Sequence, residues 1–134
     1  MTNVQARDTL IGQVLTLWAA SAYSAVPIYW HGGPQPALDN LDEFVYGSVI
    51  FRAAEQATID MIPETRLAGG LKLTFFRKEP NGDRRSQELA EYLCDRLAYL
   101  DLSGVVTTTP RPLGEEPHDG WYSTTWEVPF WFYK

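Results

Sequence analysis

The sequence predicts an α+β domain: an antiparallel sheet of four to five strands with two helices packed on one face, in the order α-β-β-β-α-β-β. Residues 71–78 alternate, placing Leu71, Leu73 and Phe75 on one face of a strand. From Arg84 the period turns helical, with Ala90, Leu93, Cys94, Leu97 and Leu100 on one stripe and Gln87, Glu88, Glu91, Asp95 and Arg96 largely opposite. Between the two, Pro80-Asn81-Gly82-Asp83 supplies a turn in which Asn-Gly tolerates positive φ and Asp83 can cap the helix. A strand followed by a helix that folds back across it is the core of a two-layer unit.

The other elements follow in chain order. Residues 4–23 form a first helix, with Val4, Ile11, Val14, Leu15, Trp18 and Ala22 as its apolar stripe and Thr2 or Asn3 as its cap. Pro27 ends it and leads into a short extended piece, Ile28-Tyr29-Trp30. Residues 31–40, rich in Gly and Pro, are a loop. Residues 44–58 form a long strand, with Val45, Val49, Phe51 and Ala53 on one face and Tyr46, Ser48, Ile50 and Arg52 on the other. Residues 60–70, with Pro63 and Gly69-Gly70, read as the connection to strand 71–78, giving a long hairpin with an extended tip. Ser103-Gly104 stops the second helix, 105–109 is a short strand, and 110–120 is a loop of turn formers. The last strand, 121–133, carries Tyr122, Trp126, Val128, Phe130 and Phe132 on one parity and Trp121, Glu127, Trp131 and Tyr133 on the other. A strand aromatic on both sides is expected to meet the core with one face and a neighbouring subunit with the other. Pro129 within it points to an edge position or a bulge.

Composition narrows the function classes. The chain of 134 residues reads as a single domain, 1–134, with a core large enough to need no staples. Aromatics reach 13%, with 5 Trp, which points to large buried faces or subunit contacts. A net charge of -6 argues against wrapping nucleic acid, which needs clustered Lys and Arg. The nearest cluster, Arg77, Lys78, Arg84 and Arg85, reads as a solvated rim. With 1 Cys there is no intramolecular disulfide, and Cys94 sits on an apolar stripe as a small hydrophobe. No apolar run approaches the ~20 residues that span a bilayer, and no leader pattern opens the chain, so a cytoplasmic site of synthesis is expected.

No residue constellation announces catalysis, a metal or a cofactor. His31 and His118 lie in separate loops without a ligand at i+3 or i+4, and His118-Asp119 has no nucleophile elbow to serve. Gly69-Gly70-Leu71-Lys72 precedes a strand where a phosphate loop must precede a helix. Asp39, Asp42 and Glu43 read as a solvated acidic loop. Arg66 is either a rim charge or a partner contact, and the apolar Met61-Ile62 at a loop tip calls for a partner to cover it.

Taken in order, IYWHGGPQPALDN, FVYGSVIFRAAEQAT, TRLAGGLKLTFFRKEPNG, SQELAEYLCDRL and WYSTTWEVPFWFYK resemble the tail terminator (tail completion) proteins of lambda-like long-tailed bacteriophages, with VPFWF similar to the family's closing Val-Pro-aromatic pattern. The resemblance implies a structural virion tail protein without enzymatic activity, assembled in the bacterial host cytoplasm. It would form a ring, commonly a hexamer and in some cases only on the tail, that caps the tube and offers the head-joining surface. Its partners would be the major tail tube protein and a head–tail connector protein, with no membrane and with DNA only passing through the lumen, where an acidic wall avoids sticking. The contact residues expected on the chain are Met61, Ile62, Arg66, Trp121, Trp131 and Tyr133. Two alternatives stand beside it: another minor tail or head–tail connector protein, and a small cone-shaped α+β domain that binds or transforms a small apolar ligand in a deep cavity.

Overall fold

A computed structural model describes residues 1–56, 65–78, 84–118 and 120–134. The elements are α1 (Asn3–Ala19), β1 (Ile28–Trp30), a 3-10 turn (Leu38–Asn40), β2 (Glu43–Gln56), β3 (Thr65–Lys78), α2 (Arg84–Leu97), β4 (Asp101–Leu102), β5 (Val105–Thr107), β6 (Arg111–His118) and β7 (Trp121–Tyr133). The α+β class with two helices stands. The sheet is larger than expected, a curled sheet of 7 strands in the order β1-β2-β3-β7-β5-β4, with β6 pairing β7 beside β5. β1 runs parallel to β2, and the other pairs are antiparallel.

Both helices bury their stripes on one sheet face. Val14 and Trp18 of α1 and Leu89, Leu93 and Leu97 of α2 pack on Val45, Leu71, Leu73, Phe75 and Val128. A second cluster, Ala6, Leu10, Val105, Phe130 and Phe132, continues the core towards the Gln56–Thr65 end of the hairpin ladder. The α1 stripe differs from the expected one: Ala6, Leu10, Val14 and Trp18 are buried, whereas Val4 and Leu15 are 66% and 47% exposed. Apolar residues surround α1, so the period sets its phase weakly, and small Ala6 permits the close approach. Thr2 is the cap, accepting from the Gln5 amide while the Gln5 side chain accepts from Thr2. The helix ends at Ala19, and Trp18 donates its indole N–H to the Val26 carbonyl at 2.8 Å.

Four further expectations are corrected. The expected loop 110–120 holds β6, because Pro112, Pro117 and the positive-φ Gly114 are tolerated on an outer strand with a register shift between Pro112 and Gly114. Gly69-Gly70 lies inside β3, not in the connection, which lengthens the hairpin to 14 residues per strand. A Cβ on Gly69 would meet the Ile50 carbonyl oxygen and come within 2.8 Å of the Phe130 ring; these glycines serve close approach. Ser103-Gly104, at φ 53° and 103°, is the two-residue turn joining β4 to β5, while α2 stops at Leu97, two residues before Tyr99 takes φ 55°. Pro129 is neither at an edge nor in a bulge. It pairs Gly70 on one side, and its carbonyl accepts from the Thr108 amide at 2.9 Å on the other, at the seam between β6 and β5. The missing N–H therefore falls where no ladder partner requires it.

Cys94 is 1% exposed in the core, and burial pushes its thiol up to about 12. It is expected to resist an aromatic disulfide reagent in the native state at neutral pH and to react only at the rate of unfolding. Rapid labelling of folded protein would contradict this packing.

Candidate functional site

Strand alternation divides the long strands between two faces. Odd positions of β3 and even positions of β7 meet the helices, and the remaining side chains form a second face that, among the described residues, no helix covers. Three zones succeed one another along it.

The first zone is aromatic. Phe44 stacks on Phe76 with centroids 4.5 Å apart, Trp121 meets Phe44 edge-on at 5.2 Å, and Tyr29 does so at 6.0 Å. Lys78 lies over the Trp121 ring at 5.8 Å, so the charge remains at the rim while its stem covers apolar surface. The zone is half-buried, with Phe44 at 5% exposure as its floor.

The middle zone is polar. Lys72, Thr74, Ser123 and Thr125 line an open groove of about 350 Å³, closed at one side by Leu113, Gly114 and Glu116 of β6. Thr74 and Thr125 are cross-strand partners with hydroxyls 3.2 Å apart. Next to the groove Glu127 is 1% exposed although it sits on the helix-free face. Arg111 donates to its Oε2 from Nη2 at 2.8 Å and from Nε at 3.2 Å, and Arg52 Nη1 makes a close ion contact with Oε1. Among the described residues Oε1 makes no hydrogen bond of regular geometry. The carboxylate occupies space that a side chain would fill at Gly70, where an added Cβ would lie 2.7 Å from Glu127 Cδ. β2, β3, β6 and β7 are thus tied together at one charge.

The third zone adjoins the hairpin. Trp131 packs edge-on against Tyr133 at 5.4 Å, and the Arg66 guanidinium lies 5.8 Å above the Trp131 ring. Tyr133 is 43% exposed. The structure brings Arg66, Trp131 and Tyr133 into one cluster and places Trp121 at the opposite end of the same face. Met61 and Ile62 lie outside the described residues, as do the 80–83 turn and Asp119. Trp126 turns instead to the helix side, against the core.

His31 is an exposed loop residue with Nδ1 3.3 Å from the Tyr46 hydroxyl, and no cluster of metal-ligating side chains occurs among the described residues. The expected basic rim is partly spent on one carboxylate behind the sheet. Arg77 donates to Glu43 Oε2 at 2.8 Å, and Arg85 bridges both oxygens at 3.1 and 3.3 Å, pinning the start of α2 to β2. Burial raises the Glu43 carboxyl, but the hydrogen bonds and charges of Arg85 and Arg77 outweigh it and hold the group below the ordinary carboxylate range. A carboxyl lowered in the folded state adds stability above its unfolded pKa, and that stability is lost as pH falls through the folded value. Glu43→Gln is therefore expected to flatten the acid limb of stability, seen in urea midpoints taken from neutral pH to below about 4.3, the unfolded value for a Glu. An unchanged acid limb would remove Glu43 from the account.

Sequence reasoning found the parity of this face but not Glu127 as its centre. The available signal was a carboxylate at a sheet position in Trp126-Glu127-Val128, close to a strand bearing Gly69-Gly70.

No family model matches the sequence, and no curated protein does. The fold itself recurs, since 18 chains of solved structures match. One of them, a protein designated only by a sequence identifier, aligns over 100% of this chain and 96% of its own with a TM-score of 0.71 and 13% identity. At that identity the likeness establishes the shared fold and nothing about activity.

Proposed function

We propose that this chain is a structural phage tail protein, a ring-forming terminator that closes the tail tube and presents a surface to the head. The observation that carries the reading is the helix-free sheet face, where Trp121 at one end and Trp131, Tyr133 and Arg66 at the other remain half-buried or exposed. Trp, Tyr and Arg held rigidly at a surface are the residues that anchor protein–protein contacts. The acidic balance of -6 suits a lumen through which DNA slides. In this reading the tube subunit and the head–tail connector are the partners, and the isolated chain needs no cofactor.

The ligand-binding alternative has less to build on. The space between helices and sheet is filled by fully buried Leu, Phe and Val side chains, and the groove on the other face is open and lined largely by hydroxyls and charges. A small apolar ligand needs the reverse, an enclosed apolar cavity.

The test is to add purified protein to preformed tail tubes and image them. The reading expects density at one tube end and arrest of further tube growth; binding along the tube sides, or none, would overturn it.

A further inference from the structure

Charge is distributed unevenly between the two faces of this acidic chain. Arg52, Arg66, Lys72, Lys78 and Arg111 share the helix-free face with two carboxylates, Glu127, buried beneath Arg52 and Arg111, and Glu116, which lines the groove together with Lys72. Lys72 is half-buried at the centre of that face, paired in register with Ser48 and Glu127, and has no ion-pair partner among the described residues. On the opposite side, α2 turns Glu91 and Asp95, one helical turn apart, fully outward. Neither carboxylate has a cationic partner among the described residues, whereas Glu88 on the same ridge is engaged by Arg84 and Arg85. The protein thus carries an unmatched cation on one face and an unmatched acidic pair on the other.

We infer that the helix-free sheet face of one copy docks on the outer ridge of α2 of the next, with Lys72 facing Glu91 and Asp95. The inference deepens the ring reading and rests on it. Because the two patches lie on opposite sides of one protomer, the contact is head-to-tail: it closes into a ring when the rotation between neighbours permits and otherwise grows as a filament. A second copy is favoured as occupant over nucleic acid because the complementary charge is present on the same chain and the overall charge of -6 repels phosphate. The half-buried aromatics at both ends of the face would supply the apolar anchors and Lys72 the register.

Sedimentation velocity over a concentration series at low and high salt tests this on the full chain. The wild type is expected to associate more strongly at low salt. Lys72→Glu and Asp95→Lys are each expected to weaken association by about tenfold or more, and the combined variant to regain most of it. Lys72→Gln serves as the milder change should Lys72→Glu disturb the fold, which circular dichroism would report; it too is expected to weaken association. Four results would overturn the inference: no association at any concentration, indifference to these substitutions, loss in the single variants without recovery in the combined one, or Lys72-dependent binding of a single-stranded oligonucleotide. The first would leave the terminator reading intact, because that reading is judged by tube capping and tolerates a ring formed only on its template.

Discussion

Replacing Arg52 and Arg111 together by alanine is expected to destabilise the protein by about 3 kcal/mol or more, the range for leaving a buried charge without its partners. Glu127 is 1% exposed, and the two guanidiniums are its neutralising groups. Their own side chains are 43% and 59% exposed, so each arginine loses little by itself when the pair is broken from the carboxylate side. The asymmetry gives the prediction its second half. Adding Glu127→Met to the double variant removes the stranded charge and is expected to recover most of the loss, since a hydrophobic replacement for a buried ion pair is often neutral. Urea unfolding midpoints at unchanged slope provide the measurement. A double variant as stable as the wild type would mean that water reaches the carboxylate and that the clamp does not hold the four strands together.

Gly69→Ala is expected to cost about 3 kcal/mol, at the upper end of overpacking effects, and is the single substitution with the clearest steric cause. The added methyl would run into the Ile50 carbonyl oxygen of β2 on one side and come within 2.8 Å of the Phe130 ring on the other. A backbone carbonyl in one of the two long ladders of the sheet cannot turn aside as a flexible side chain can. Gly12→Ala is the control: nothing lies within 4 Å of a Cβ there, and removing a mid-helix glycine is expected to stabilise by about 0.5–1 kcal/mol. Thermal melts of the two variants side by side separate steric cost from backbone entropy. A neutral Gly69→Ala would show that β2 and β3 separate more easily than the packing implies.

What the sequence disclosed, and what it hid, follows from how locally each feature is encoded. The α2 stripe was legible as far as Leu97 because polar residues occupy much of the opposite side, although the expected Leu100 lies past the end of the helix, and the two faces of β7 were legible because alternation needs only the next residue but one. β1, the hairpin and the helix-side packing of Leu71, Leu73 and Phe75 follow from the same local patterns. β6 was hidden because its prolines and glycine are turn formers by composition, and only pairing with β7 makes them an outer strand. Gly69-Gly70 was hidden for a related reason: the glycines answer to Ile50, Phe130 and Glu127, residues far away in sequence. Glu127 itself reads locally as an outward-facing polar residue. Its burial depends on Arg52 and Arg111, which arrive from strands on either side of β3 and β7. The half-buried aromatics of the candidate face were visible as residues, but their division into a Trp121 end and a Trp131 end required the register.

The mass of the purified protein in solution, by light scattering over a concentration series with negative-stain images of any large species, tests the central claim most directly. The protomer is 15.2 kDa, and six copies in a closed ring would give roughly 91 kDa with a central hole. A ring of that kind is the predicted result. A strict monomer that releases a co-purified small molecule on denaturation would contradict the tail reading and return the ligand-binding alternative.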